Sequence, residues 1–177
     1  MRITRALLHK LARDNAEKIV RRNRELVCIY LTGSLLEAEP LLGGTTDIDL
    51  IVVHNSQPAY PREMVHLSDE VHLDIAHLSI DSFRQPRSLR TDPWLGSFLN
   101  ANPTLLHDTQ HWFEFTQASA GAQFDQPENV IENFRVVRIL LEPHQLVIDR
   151  VETLVGFGQK FPQQIVHVTC LLAMEAS

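Results

Sequence analysis

The chain has 177 residues, 44% of them hydrophobic and 21% charged, and a formal net charge of −6, the profile of a globular protein with one core. Its longest apolar runs, such as LIVV and CLLAM, fall far short of the ~20 residues of a membrane span, and MRITRALLHKLARDNAEK lacks the apolar centre of a signal peptide, so a cytoplasmic protein without a membrane partner is expected. Residues 1–24 carry eight Lys and Arg against Asp14 and Glu17, a net +6 that leaves −12 for the remainder, and a body this acidic disfavours nucleic acid as a partner.

Residues 5–24 are predicted to form an amphipathic helix, because Leu7, Leu8, Leu11, Ala12, Ala16, Ile19 and Val20 recur at three- and four-residue steps. LVCIYLTG (26–33) is a β-rich run that ends at a glycine. Ser34 then opens a short helical turn that Pro40 stops, and LLGGTT is a loop. DIDLIVV (47–53) is a second strand, HNSQPAYPRE a turn-rich loop, and VHLDIAHLS (71–79) a third strand. In that third strand Val71, Leu73 and Ile75 share one face while His72, Asp74 and Ala76 share the other. Short helices broken by Pro86 and Pro93 fill 80–100, and PTLLHD (103–108) is a fourth short strand. From about 111 the pattern is helical: 111–124, 127–149 with a kink at Pro143, 151–160 and 163–175. The fold class is therefore α/β (α+β), a small mixed sheet with flanking helices, with a soft boundary between 1–124 and a helical region over 125–177.

Asp47 and Asp49 are unusual residues for a strand interior. One residue apart, they point to the same side, with Ile48 and Leu50 on the other. Two carboxylates this close repel, and each is driven toward protonation unless a cation lies between them. Hard divalent ions prefer such oxygen ligands. Asp74, mid-strand in HLDIAH, joins them if its strand pairs beside the second. Gly33 and Ser34 lie where the first strand passes into the helical turn, where a glycine lets backbone approach a ligand and free N–H groups favour an anion. The Walker A pattern is absent. The nine histidines form no metal motif; His72 alone shares a face with Asp74. Arg84, Arg87 and Arg90 recur at three-residue spacing and suit an anionic ligand or a solvated loop equally well, whereas Arg135 and Arg138, also three apart, fit an exposed helix face better than a ligand. Cys28 and Cys170 lie far apart in apolar contexts and read as reduced, buried thiols.

TGS, twelve further residues and then DIDLIVV resemble the signature of the nucleotidyltransferase superfamily related to DNA polymerase β. GGTTDIDLIVV is also similar to the loop form of the small antibiotic nucleotidyltransferases, and NPTLLHDTQHWF to a leucine-x-Asp run that follows the core in those small members. The resemblance covers residues from about 5 to 124. It implies that Asp47 and Asp49 bind Mg²⁺ (or Mn²⁺), and that Asp74 completes the metal site or acts as general base. It implies that Gly33 and Ser34, with Thr46 before the first aspartate, hold a nucleoside triphosphate, ATP above all. The reaction implied is transfer of a nucleoside monophosphate to a hydroxyl of a small-molecule or protein acceptor. The alternative is a non-catalytic or antitoxin-type nucleotide-binding partner with the same fold. A homodimer is compatible with a site that 177 residues wall only thinly.

Overall fold

The first helix begins where Thr4 can cap it. The Thr4 hydroxyl accepts a hydrogen bond from the Leu7 backbone N–H (3.2 Å), and α1 runs Arg5–Arg22 in the computed structural model, which describes residues 3–36 and 46–141. Its buried residues are Leu8, Ala12 and Ala16, one per turn along a single stripe. The helix stops two residues short of the expected Arg24 because Asn23 is extended, and its side-chain oxygen accepts the Glu25 backbone N–H (3.0 Å).

Five strands follow: β1 (Leu26–Thr32), β2 (Thr46–His54), β3 (Arg62–His66), β4 (Val71–Ser79) and β5 (Thr104–Asp108). They form one mixed sheet in the order β3-β4-β2-β1-β5. β2 is the central strand, antiparallel to β1 and parallel to β4, and β3 and β5 are antiparallel edges. Ile29 and Leu31, Ile48, Leu50 and Val52, and Val71, Leu73 and Ile75 form the core with the stripe of α1. Strand alternation therefore sends Asp47, Asp49, His72 and Asp74 to the opposite face. The architecture is the expected α+β class, a mixed sheet with helices.

One strand was not expected. Residues 62 and 63 fall in the stretch read as loop, yet they begin β3. Pro58 and Pro61 precede it, and nearly all of it is exposed, so it shows none of the apolar alternation that marks an inner strand. A four-residue turn joins it to β4, in which the Ser68 hydroxyl accepts the Glu70 and Val71 backbone N–H groups (3.3 and 3.1 Å).

The described residues form two compact units. The first takes everything up to Arg84 together with Asn102–Thr116 and contains the whole sheet. The second takes Gln85–Ala101 and the described residues from Gln117 onward. In it Pro86 opens α2 (Pro86–Thr91) at its first turn rather than breaking a helix, and α3 spans Leu95–Asn100. The Asp92 carboxylate accepts the Trp94 and Leu95 backbone N–H groups, each at 2.8 Å, to start α3. α4 (Trp112–Gly121) and α5 (Pro127–Leu141) match the helices expected from 111 and 127. The Pro40 stop, the LLGG loop, the Pro143 kink, both later helices and Cys170 lie outside the described residues.

On the α1 side of the sheet, His54 and His77 end β2 and β4 as a buried pair, 8% and 7% exposed. Their ring nitrogens make a one-way relay. Asn23 accepts Glu25 N–H through its oxygen, so its amide nitrogen must donate to His54 Nδ1 (3.0 Å). His54 then carries its proton on Nε2 and donates to His77 Nδ1 (2.9 Å). His77 Nε2–H points toward Glu63, 3.7 Å away, and has no hydrogen-bond partner among the described residues. Tyr60 lies edge-on to His77. A second proton on either ring sets two donors face to face. Burial lowers both pKa values below 6.5; His77 adds to this at His54, and Glu63 opposes it at His77. The pair thus stabilises the fold fully above pH 6.5, and this contribution is lost as pH falls below it. Thermal melts of an Asp49→Asn background are expected to drop between pH 7.5 and 5, and His77→Gln is expected to flatten that slope. An unchanged slope in the variant would show that the relay is not what titrates.

Candidate functional site

Register decides which polar residues meet. Thr32 of β1 lies opposite Asp49 of β2, and Asp49 lies beside Asp74 of β4. Directly paired residues share a face, so Thr32, Asp49 and Asp74 form a row across three strands. Asp47 stands beside His72, one step along the same face. The three predicted carboxylates therefore lie in one neighbourhood, and the parallel β2–β4 pairing is what gathers them.

Gly33 turns the chain off β1 directly onto this row. Its φ is +78°, and a Cβ at this position would lie 1.9 Å from Asp49 Oδ2 and 2.8 Å from its Cγ. Only glycine permits both the left-handed backbone and the contact. Ser34 follows in a single 3-10 turn, Ser34–Leu36, closed by Leu36 N–H to the Gly33 carbonyl (3.2 Å). Arg5, the first residue of α1, donates to the Leu36 carbonyl (3.1 Å) and ties the turn to the helix. One 3-10 turn has no useful helix dipole. The capacity of this segment for phosphate thus rests on the Gly33–Ser34 backbone and the Ser34 hydroxyl. Thr46 opens β2 beside Val71.

The electrostatics of the row are those of unmet negative charge. Asp49 is pushed up to about 7, first by burial, then by Asp74 and Asp47, with Arg62 working in the other direction. Asp47 is open to solvent, its side chain 62% exposed, and one oxygen lies 3.2 Å from His72 Nδ1. His66 packs edge-on against His72. Asp74, only 14% exposed, is held by Arg62 of β3. Arg62 Nε donates to Oδ1 at 2.8 Å and Nη2 to Oδ2 at 2.5 Å. The Thr32 hydroxyl, in the same row, is buried without a hydrogen-bond partner among the described residues.

Among the described residues no group of three or more His, Cys, Asp and Glu side chains is gathered closely enough to hold a metal ion. Two carboxylates are nevertheless enough for Mg²⁺ when phosphates and water supply its other ligands. Asp47, Asp49 and the orphaned Thr32 hydroxyl beside them fit that partial donor set.

Three of the arginines singled out in the sequence are engaged elsewhere. Arg84 pairs with Asp81 (2.8 Å), and Arg135 with Glu132 (3.1 Å). Arg90 donates to Gln123 Oε1 (3.0 Å) and the Ser119 carbonyl (2.9 Å) within the second unit. Trp112 packs edge-on to Phe83. Arg62, like Thr32, is a site residue that sequence reasoning missed. Its only signal was a short run, REMVH, before the turn LSDE, which fits an edge hairpin strand.

Comparison with protein-family models finds none that matches the chain, and comparison with curated proteins finds no match either.

Proposed function

We propose that the chain is a Mg²⁺-dependent nucleotidyltransferase that moves a nucleoside monophosphate from a triphosphate, ATP in the first instance, to a hydroxyl acceptor. The observation that carries this reading is the seat of Gly33 against Asp49, with Asp74 beside it in register. It joins the Gly-Ser turn to the Asp-x-Asp strand in space, as the sequence resemblance requires. On this reading Asp47 and Asp49 would hold the divalent ion, which supplies charge neutralisation at the phosphates when bound. Gly33 and Ser34 orient the β- and γ-phosphates through backbone N–H groups and the serine hydroxyl. Thr46 borders the same entry to β2. The acceptor oxygen attacks the α-phosphorus, the bond to the β-phosphate bridge breaks, and pyrophosphate leaves. His72, steadied by Asp47, and Asp74 are the groups on this face able to take the hydroxyl proton.

The Arg62–Asp74 pair favours a second reading, a nucleotide-binding partner that keeps the fold without turnover, because it ties up a carboxylate the reaction would use. Calorimetric titration with each nucleoside triphosphate, with and without Mg²⁺, tests what both readings share. Binding is expected only with Mg²⁺, and Asp47→Asn/Asp49→Asn is expected to weaken it at least ~100-fold. Failure of every triphosphate to bind the wild type would remove both. Pyrophosphate release in an acceptor screen then separates enzyme from partner.

A further inference from the structure

We infer that the site takes one divalent cation rather than two, and that the guanidinium of Arg62 stands on Asp74 in place of the second. The inference rests on the nucleotidyltransferase reading.

Both oxygens of Asp74 are engaged. Arg62 Nε donates to Oδ1 and, more weakly, to Oδ2 (3.2 Å), and Nη2 donates to Oδ2. This fork is the strong, geometrically specific form of a charge-assisted pair. It is also a diagonal one. The strand partner of Asp74 is Met64, and Arg62 lies opposite Ala76, so the guanidinium reaches two residues along the sheet to find the carboxylate. Asp74 is the less exposed partner, and a carboxylate so placed needs a counter-charge at all times. A metal ion at Asp74 has to compete with these hydrogen bonds and with the guanidinium charge behind them.

Charge points the same way. Asp47, Asp49 and Asp74 carry three negative charges and Arg62 one positive charge, so one divalent ion balances the protein's side of the site. The field of Arg62 also reaches Asp49 and Asp47, which lowers the need for a second ion. The remaining protein ligands, Asp47 and Asp49, are too few to bind Mg²⁺ tightly alone. Cation and triphosphate therefore complete each other's binding, and neither is held well without the other.

The test uses Mn²⁺ and a non-hydrolysable α,β-methylene triphosphate with the full chain, read by electron paramagnetic resonance. A single ion gives the six-line spectrum of isolated Mn²⁺, whereas two ions about 4 Å apart couple and broaden it. The wild type is expected to bind one Mn²⁺ per chain, only with the nucleotide present. Arg62→Met is expected to bind two and to show the coupled spectrum. Asp74→Asn, which leaves the Arg62 charge unpaired beside Asp49 and Asp47, is expected to keep a count of one ion, held more weakly than in the wild type. A coupled pair in the wild type overturns the inference and leaves the nucleotidyltransferase reading standing. So does loss of the single ion in Asp74→Asn, or a count of one in folded Arg62→Met. No nucleotide-dependent Mn²⁺ in the wild type overturns inference and reading together.

Discussion

Asp49→Asn is expected to raise the thermal stability of the ligand-free protein at pH 8 while removing the Mg²⁺-dependent triphosphate binding proposed above. The wild-type carboxyl titrates at about 7 in the folded chain against an ordinary 3.8, because it is buried beside Asp74 and Asp47. Between those two pH values the folded state binds the extra proton, so this group's contribution to stability falls as pH rises from about 4 to 7. At pH 8 the penalty is complete, on the order of 2–4 kcal/mol. Asparagine has the same shape and no charge, so the variant gains that amount, or roughly 5–10 °C in a chain of this size. The difference should close as pH is lowered toward 4, where both side chains are neutral. Mg²⁺ with triphosphate is expected to reverse the order, stabilising the wild type and leaving the variant unmoved. Melts at pH 8 and 5, with and without ligand, check all of this. A variant less stable than wild type at pH 8 would show that Asp49 already has its counter-charge in the empty protein. On the proposed function, the arriving cation would offset this destabilising carboxylate.

Gly33→Ala is expected to damage the same site from the other strand. Alanine at φ +78° carries about 1 kcal/mol of backbone strain. The larger effect is steric, since the new methyl would fall 1.9 Å from Asp49 Oδ2, and either the turn or the carboxylate must move. A total loss of roughly 2–3 kcal/mol is expected, with triphosphate binding weakened at least tenfold. A double-mutant cycle isolates the contact. In an Asp49→Ala background the carboxylate is gone, and the cost of Gly33→Ala should shrink toward the strain alone. If the two substitutions instead add, the Gly33–Asp49 contact carries no energy, and the observation behind the proposed function loses its weight.

Much of the first unit was legible because its signals are local. Alternation from Val71 to Ala76 marked β4, whose observed ends match the expected 71–79, and apolar spacing marked α1 to within two residues. Asp47 and Asp49 could be placed on one face from alternation alone, and Asp74 on the polar face of its own strand. What could not be read is which strands are neighbours. The parallel pairing of β2 with β4 joins segments some 25 residues apart, and nothing in either strand names its partner. β3 escaped because an exposed edge has no reason to alternate, and Arg62 escaped with it. The glycine at 33 was noticed for its freedom of backbone, but its reason for being there is a carboxylate sixteen residues later. The relay of Asn23, His54 and His77 was equally silent, since it depends on where three element ends converge.

The path of the chain between its two units has a consequence for any attempt to dissect them. The backbone leaves the sheet-bearing unit after Arg84, returns at Asn102 to lay down β5, and leaves again after Thr116. Neither unit is one unbroken length of polypeptide, so no single cleavage releases either intact. A fragment ending at residue 101 would keep every residue of the acidic row but lose β5, the flank of β1. β1 is buried along its whole length, and without its neighbour it would become a bare seven-residue apolar margin. Such a fragment should self-associate through that margin, and deletion mapping would then misread aggregation as loss of the site.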